Sequence, residues 1–328
     1  QYFGGNLLMG AINVKHTGSG AAIALSSDGT SLLLDGTAIG GGGGDPDLYR
    51  DNASGATTPS ATGTNAVAIG TNAIASNTES VALGGDSLSS GYKSFAAVIG
   101  NNYVAYGAHG FAGISIGLQS RATASGSIAL GSSAYSSGSS GLALGGASTA
   151  SGTSSIAIGD SGAEAYAATS LGQYALSSSQ GKYSYASGRF ASTEGSAQTG
   201  TYVLRADTTD ATPEGLTTRN NGGVQSDNQV NLPNNSAYAF SGTIVGRESA
   251  ASGTECAAWK VEGLIRREGS ASTTVLVNSA TTVLNNAPSW GMALSADTTN
   301  GALQITVTGA AKTIRWVGAI TTTELIHA

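Results

Sequence analysis

Charge, sulfur, proline and aromatic side chains are all scarce in this 328-residue chain. A single cysteine, Cys256, excludes a disulfide framework and a cysteine-based metal site, and a buried structural thiol is the expected role. Five prolines against forty-nine glycines exclude a collagen-like triple helix. Charged residues make up only 10 % and the formal net charge is −6, so no basic stripe exists to hold a nucleic-acid backbone. The three histidines, His16, His109 and His327, stand in separate regions and form neither a metal cluster nor a triad. No metal, cofactor or catalytic residue is therefore expected. No apolar run reaches the roughly 18 residues of a membrane helix, so membrane insertion is not expected either.

What the chain does have is one phrase repeated between Thr64 and Gly188: a large aliphatic residue, Ala or Ser, another aliphatic, then Gly. Val67-Ala68-Ile69-Gly70, Val81-Ala82-Leu83-Gly84, Ala97-Val98-Ile99-Gly100 and Ile114-Ser115-Ile116-Gly117 open the series. Ile128-Ala129-Leu130-Gly131, Leu142-Ala143-Leu144-Gly145, Ile156-Ala157-Ile158-Gly159 and Thr169-Ser170-Leu171-Gly172 continue it. The closing glycines step by 14, 16, 17, 14, 14, 14 and 13 residues. A near-constant period of this length predicts a stacked solenoid of about 14-residue coils, each with two short strands and two corners. Strand alternation places the two aliphatic residues on one face and the small residue on the other. The expected core is thus the aliphatic ladder of Ile69, Leu83, Leu130, Leu144 and Ile158, with Gly70, Gly84, Gly131, Gly145 and Gly159 at the corners. The alanines would then face outward and pack against another chain, since one coil encloses too little core to stand alone.

Two stretches resemble known proteins. Ser127-Ile128-Ala129-Leu130-Gly131 and Ser155-Ile156-Ala157-Ile158-Gly159, with the return segments Ala122-Thr123-Ala124-Ser125-Gly126 and Ser148-Thr149-Ala150-Ser151-Gly152, are similar to the head repeat of YadA-like trimeric autotransporter adhesins, also met in bacteriophage fibres. That resemblance implies a left-handed parallel β-roll, three of which associate around a threefold axis. The stretch from Asn231–Tyr238 to Ala310–Trp316 looks like the terminal domains of some phage tail fibres. The chain's end lacks the amphipathic strands of an outer-membrane barrel, which moves the expectation from a bacterial adhesin toward a virion fibre.

Composition divides the chain into four regions. Residues 1–39 alternate short apolar bursts with turn chemistry and predict a short N-terminal β element; 40–61, with Gly40 to Gly44, read as a linker and collar. Residues 62–200 carry the roll. In 201–328, runs such as Ala237–Glu248, Ala257–Arg267, Thr273–Asn278, Trp290–Ser295, Ala302–Val307 and Ile314–Thr323 predict an antiparallel, jelly-roll-like β-sandwich knob. Its core or interface would take Trp259, Trp290 and Trp316. The fold class is all-β and the expected assembly a homotrimer.

The resulting expectation is a non-enzymatic, extracellular virion appendage. It would join other virion proteins at its N-terminal end and bind a host surface glycan or protein. Candidate receptor contacts are Tyr103, Tyr106 and His109, in the longest insertions of the roll, and Ser249, Ser252, Thr254, Glu268 and Ser270 in two sandwich loops. The alternatives are a structural head fibre, decoration or surface filament subunit without receptor binding, a glycan depolymerase using carboxylates drawn from Glu79, Asp86, Asp160 and Glu164, and a bacterial trimeric autotransporter adhesin.

Overall fold

The structure is a computed structural model that describes residues 57–100, 105–220, 223–250, 253–285 and 290–327, together with four short strands between Ile12 and Ala38. Those four, Ile12–Val14, Ile23–Ser27, Leu32–Leu34 and Thr37–Ala38, pair antiparallel in chain order. The glycine run at 40–44 lies outside the described residues.

From Ser60 onward the chain winds as a parallel β-solenoid with two ladders of short strands. One ladder passes through Val67–Ile69, Val81–Leu83, Phe95–Ala97, Ile114–Ile116, Ile128–Leu130, Leu142–Leu144 and Ile156–Ala163. The other begins at Ser60–Ala61 and passes through Ile74–Ala75, Leu88–Ser89, Gly107–Ala108, Arg121–Ala122, Tyr135–Ser136 and Thr149–Ala150. The register corrects one repeat. Phe95-Ala96-Ala97, and not Ala97-Val98-Ile99, pairs with Val81–Leu83 and Ile114–Ile116, and Val98 takes the place of a closing glycine. Equivalent corners therefore fall at 70, 84, 98, 117, 131, 145, 159, 172 and 186, with steps of 14, 14, 19, 14, 14, 14, 13 and 14. One long coil replaces the two slips that the glycines suggested.

The faces are also the reverse of the size-based expectation. Ala82, Ala96, Ala129, Ala143 and Ala157 are fully buried, while Ile69, Leu83, Leu130 and Ile158 are half-buried and Leu144 is 40 % exposed. Inward positions on the second ladder are equally small: Ala75, Ser89, Ala108, Ala122, Ser136, Ala150 and Ala163. The physical reason is thickness. A coil of about 14 residues folds two strands so closely face to face that only a methyl or hydroxymethyl group fits between them. The aliphatic residues are consequently not the core of one chain, and the expected outward alanine face does not exist.

Several of the serines that line this interior satisfy their hydroxyls locally, whereas Ser136 and Ser155 are buried without a partner among the described residues. Ser80, Ser94 and Ser127 each donate to the carbonyl three residues back at 2.7 Å, closing the turn with a side chain small enough for the core. Glycine is needed where coils touch. A Cβ at Gly131 would overlap the Gly145 carbonyl oxygen, and one at Gly138 the Gly152 carbonyl. Gly131 also sits at φ +132°, which a side chain rarely adopts.

The last roll strand, Tyr183–Ser187, pairs antiparallel with Ala197–Thr208, so the roll's sheet continues without a break. Its onward order is Ala197–Thr208, Ile314–Ile326, Ser236–Glu248, Cys256–Arg267 and Val275–Asn285, all antiparallel. A second, smaller sheet pairs Gly291–Asp297 with Ala302–Thr308, whose other edge takes Glu214–Gly215 and Val230–Asn231. The apolar core here is large: Trp316 packs 5.9 Å from Trp259 and 5.5 Å from Trp290 between ring centroids, among Tyr202, Leu204, Ile244 and Ile305. Trp316 Nε1 donates to Thr208 Oγ1 at 3.0 Å, which satisfies its one polar atom. Cys256 is exposed, contrary to the buried thiol expected, because it begins its strand on the outward side, one residue before buried Ala257.

A buried ion pair closes the open end of the roll. Lys182 occupies the inward corner position held by Ser155 and Ala168 in the preceding coils, and its Nζ lies 2.6 Å from Glu324 Oε2 of the C-terminal strand. Gln198 donates to the same oxygen at 2.7 Å and Thr322 to Oε1 at 2.6 Å. The rings of Tyr202 and Tyr238 stand 5.6 and 5.7 Å from the ammonium. Burial, reinforced by the Glu324 charge, pushes both phenols well above their ordinary range.

Candidate functional site

On the second ladder the outward positions run Ile74, Leu88, Gly107, Arg121, Tyr135 and Thr149. The 19-residue coil brings Tyr106 to this strip, beside Gly107. Arg121 is held between two rings: its guanidinium carbon lies 4.1 Å from the Tyr135 centroid and 5.8 Å from that of Tyr106. All three side chains are half-buried.

His109 braces this arrangement. Its Nε2 is 2.9 Å from the Tyr106 carbonyl oxygen and its Nδ1 is 2.6 Å from Ser90 Oγ. Burial holds its pKa below the ordinary value, with the Tyr106 carbonyl opposing, so the ring is neutral at pH 7. A neutral ring must put its proton on Nε2, facing the carbonyl, and accept from the Ser90 hydroxyl at Nδ1. Both nitrogens are thus committed to fixing the backbone that carries Tyr106.

The neighbouring corner adds two more rings. Tyr92 and Phe111 occupy the same corner position in successive coils and stack at 5.4 Å with 20° between planes; Phe111 is 54 % exposed. Lys93 lies 5.2 Å over the Tyr92 ring and 3.4 Å from Glu79. The strip as a whole presents aromatic faces and one guanidinium.

Of the receptor-contact candidates, Tyr106 and His109 lie together in this patch, whereas Tyr103 and Ser252 fall outside the described residues. Ser249 and Thr254 are exposed in the hairpin after Glu248, and Glu268 and Ser270 are exposed beside the short 3-10 turn Ala271–Thr273. The register puts those two loops at opposite ends of the sheet: Glu248 pairs with Ile314, and Arg267 with Ser236. Glu268 is ion-paired to Arg266. The carboxylates considered for glycan cleavage are dispersed: Glu79 pairs with Lys93 at one corner, and Asp86 accepts from Asn72 Nδ2 at 2.7 Å at the other. Among the described residues no group of three His, Cys, Asp or Glu could hold a metal ion.

Arg121 and Tyr135 were not singled out from sequence as a pair. The usable signal was their spacing of 14, which puts them at one repeat position on adjacent coils. Lys182 and Glu324 could not be paired that way, since 142 residues separate them.

A further groove of about 400 Å³ lies where roll and C-terminal sheet meet, lined by Tyr185, Phe190, Gln198, Thr323, Glu324 and Leu325. Tyr185 is in register with Leu171, so the groove continues the aliphatic face of the roll.

Residues 61–96, 108–134 and 136–161 match the model of the YadA head domain repeat; the gap at 97–107 coincides with the long coil. No curated relative matches the sequence. Among solved structures, the chain is similar to the tailspike protein gp49 of Acinetobacter baumannii bacteriophage Fri1, a capsular polysaccharide depolymerase. Identity is 11 % and the TM-score 0.25, over 84 % of this chain and 49 % of the tailspike, so the chain spans about half that protein's length. Between residues 61 and 161, then, this chain carries YadA-type head repeats, wound as a parallel β-solenoid whose core is alanine and serine.

Proposed function

We propose that the chain is the subunit of a homotrimeric fibre, a virion appendage that attaches to a receptor on the host surface. The observation that carries this reading is the continuous outward face of the long sheet. Its aliphatic ladder, including Ile116, Leu144 and Ile156 at 36–40 % exposure, runs the length of the roll to Tyr183 and Tyr185. The same face continues on the C-terminal strands as Thr199, Thr201, Thr321 and Thr323, with exposed Val203, Val317 and Val245 beyond them. An apolar strip of that length on a monomer is an association surface, and closed rotational symmetry is the usual way to bury identical strips. The thin interior gives the same answer, since three rolls together hide the large side chains that one roll cannot.

In that trimer the second ladder points outward, and its aromatic patch around Tyr106, Arg121 and Phe111 is the first receptor-contact surface. Three copies compensate for weak single sites through avidity. The hairpin at Ser249–Thr254 is a second contact region, at the sheet end away from the roll. The N-terminal end joins other virion proteins.

Light scattering tests the assembly, with an expected mass three times that of the chain. A monomeric mass refutes it. Adsorption tests attachment: the purified protein should compete with virus for host cells, and failure to compete at saturating concentration refutes receptor binding while leaving a structural fibre.

A further inference from the structure

Resting on the attachment reading above, we infer that Arg121, held between Tyr106 and Tyr135, receives the carboxylate of an acidic sugar in a host-surface polysaccharide. Three observations converge. First, from 57 to 180 the sequence holds two basic residues, Lys93 and Arg121, and Lys93 is ion-paired with Glu79. Second, from Ser87 to Gly159 there is no aspartate or glutamate, so no carboxylate of those five coils answers the Arg121 charge. Third, among the described residues the guanidinium makes ring contacts and no hydrogen bond or ion pair.

Geometry then selects the ligand. The Tyr135 ring lies close over the guanidinium at 4.1 Å and the Tyr106 ring stands farther off at 5.8 Å. The N–H edge, which has no partner among the described residues, is the part of the group left to bond an incoming acceptor. A planar carboxylate fits that edge, accepting two parallel hydrogen bonds. The chain carries a net charge of −6, which makes a local cation an oriented attraction and not part of a general basic surface. A polymer is favoured over a small acid because the strip continues past the arginine. Thr123 and Ser137 offer hydroxyls at the outward end of the same strands, and exposed Phe111, one coil away, offers a ring face for the C–H side of a second sugar. An acidic peptide shares the carboxylate but has no such ring-stacking face.

The test uses the full-length protein with hexagalacturonate, its carboxyl-reduced form, sialyllactose and hexaglutamate, measured by calorimetry at low and high salt. The acidic sugars should bind and the reduced hexamer should not, with affinity falling as salt rises. Arg121→Gln should weaken acidic-sugar binding about tenfold to a hundredfold, the range for a charge-assisted hydrogen-bonded pair. Arg121→Lys keeps the charge but loses the fork and should recover only part of that loss. Thermal unfolding of each variant shows that the roll is intact; if Arg121→Gln unfolds it, Arg121→Lys alone decides. Equal binding of reduced and acidic hexamers, equal affinity for hexaglutamate, no binding of either acidic sugar, or full binding by the variants overturns the assignment. Host cells separate the two readings. Unchanged adsorption by Arg121→Gln refutes the site and leaves attachment standing. Acidic-sugar binding without adsorption to any cell whose capsule carries such a sugar refutes attachment and leaves the site standing.

Discussion

Replacing Ala143 by Val and, separately, Leu144 by Ser tests which face of the roll is the core. Ala143 is fully buried, in register with buried Ala129 and Ala157 on neighbouring coils spaced about 4.8 Å apart. Two extra methyl groups have no space there, so A143V should cost about 1–3 kcal/mol per chain by overpacking. Leu144 is 40 % exposed in one chain, and burying a leucine fully is worth about 1.5–3 kcal/mol. Covering the remaining two fifths in an assembly is therefore worth about 0.6–1.2 kcal/mol per chain, or about 2–4 kcal/mol per trimer. The assay is urea unfolding at several protein concentrations with light scattering on the same samples. A143V should lower the midpoint by the same amount at every concentration. L144S should act mainly at low concentration, by releasing subunits. If L144S destabilises a dilute monomer more than A143V does, the aliphatic side is the core of the single chain and the alanine interior is refuted.

Three further outcomes follow from buried polar groups. Lys182→Met should cost about 3–5 kcal/mol, because Glu324 is then left buried and charged; a double variant with Glu324→Leu should regain most of it in denaturant unfolding. Tyr202 and Tyr238 hold their protons more tightly when folded, so their contribution is fully present below about pH 10 and lost as pH rises through their folded values. Urea midpoints from pH 8 to 11 should fall less steeply in the Tyr202→Phe, Tyr238→Phe double variant, and an unchanged slope would remove the effect. His109 is shifted the other way: its contribution is present above about pH 6.5 and lost as pH falls through its folded value. Protection factors for amide exchange around Tyr106, referred to the intrinsic rate at each pH, should fall on acidification in the parent and not in His109→Gln.

Several strands of the C-terminal part with one buried face were legible, although Ala197–Thr208 was not among the expected runs and Ile314–Thr323 stopped three residues short of Ile314–Ile326. Ala237–Glu248, Ala257–Arg267 and Ala302–Val307 each fall within one residue of the observed strands, because their alternation carries the signal. Thr273–Asn278 fell seven residues short of Val275–Asn285 at its far end, since this edge strand is exposed along nearly its whole length and has no alternation to read. Of the candidate site, Tyr106 was visible as an insertion residue. Arg121 gained meaning only when the register set it between two rings.

The sequence by itself determined the coil: its period, its turns and the two alternating side-chain sets follow from local backbone geometry, which neighbouring residues encode. Tertiary structure decided which set points inward. That choice depends on the separation of two strands folded against each other, a distance that admits alanine and turns leucine out. It also decided how the roll ends, because Lys182 and Glu324 meet only after the last strand has returned across the sheet.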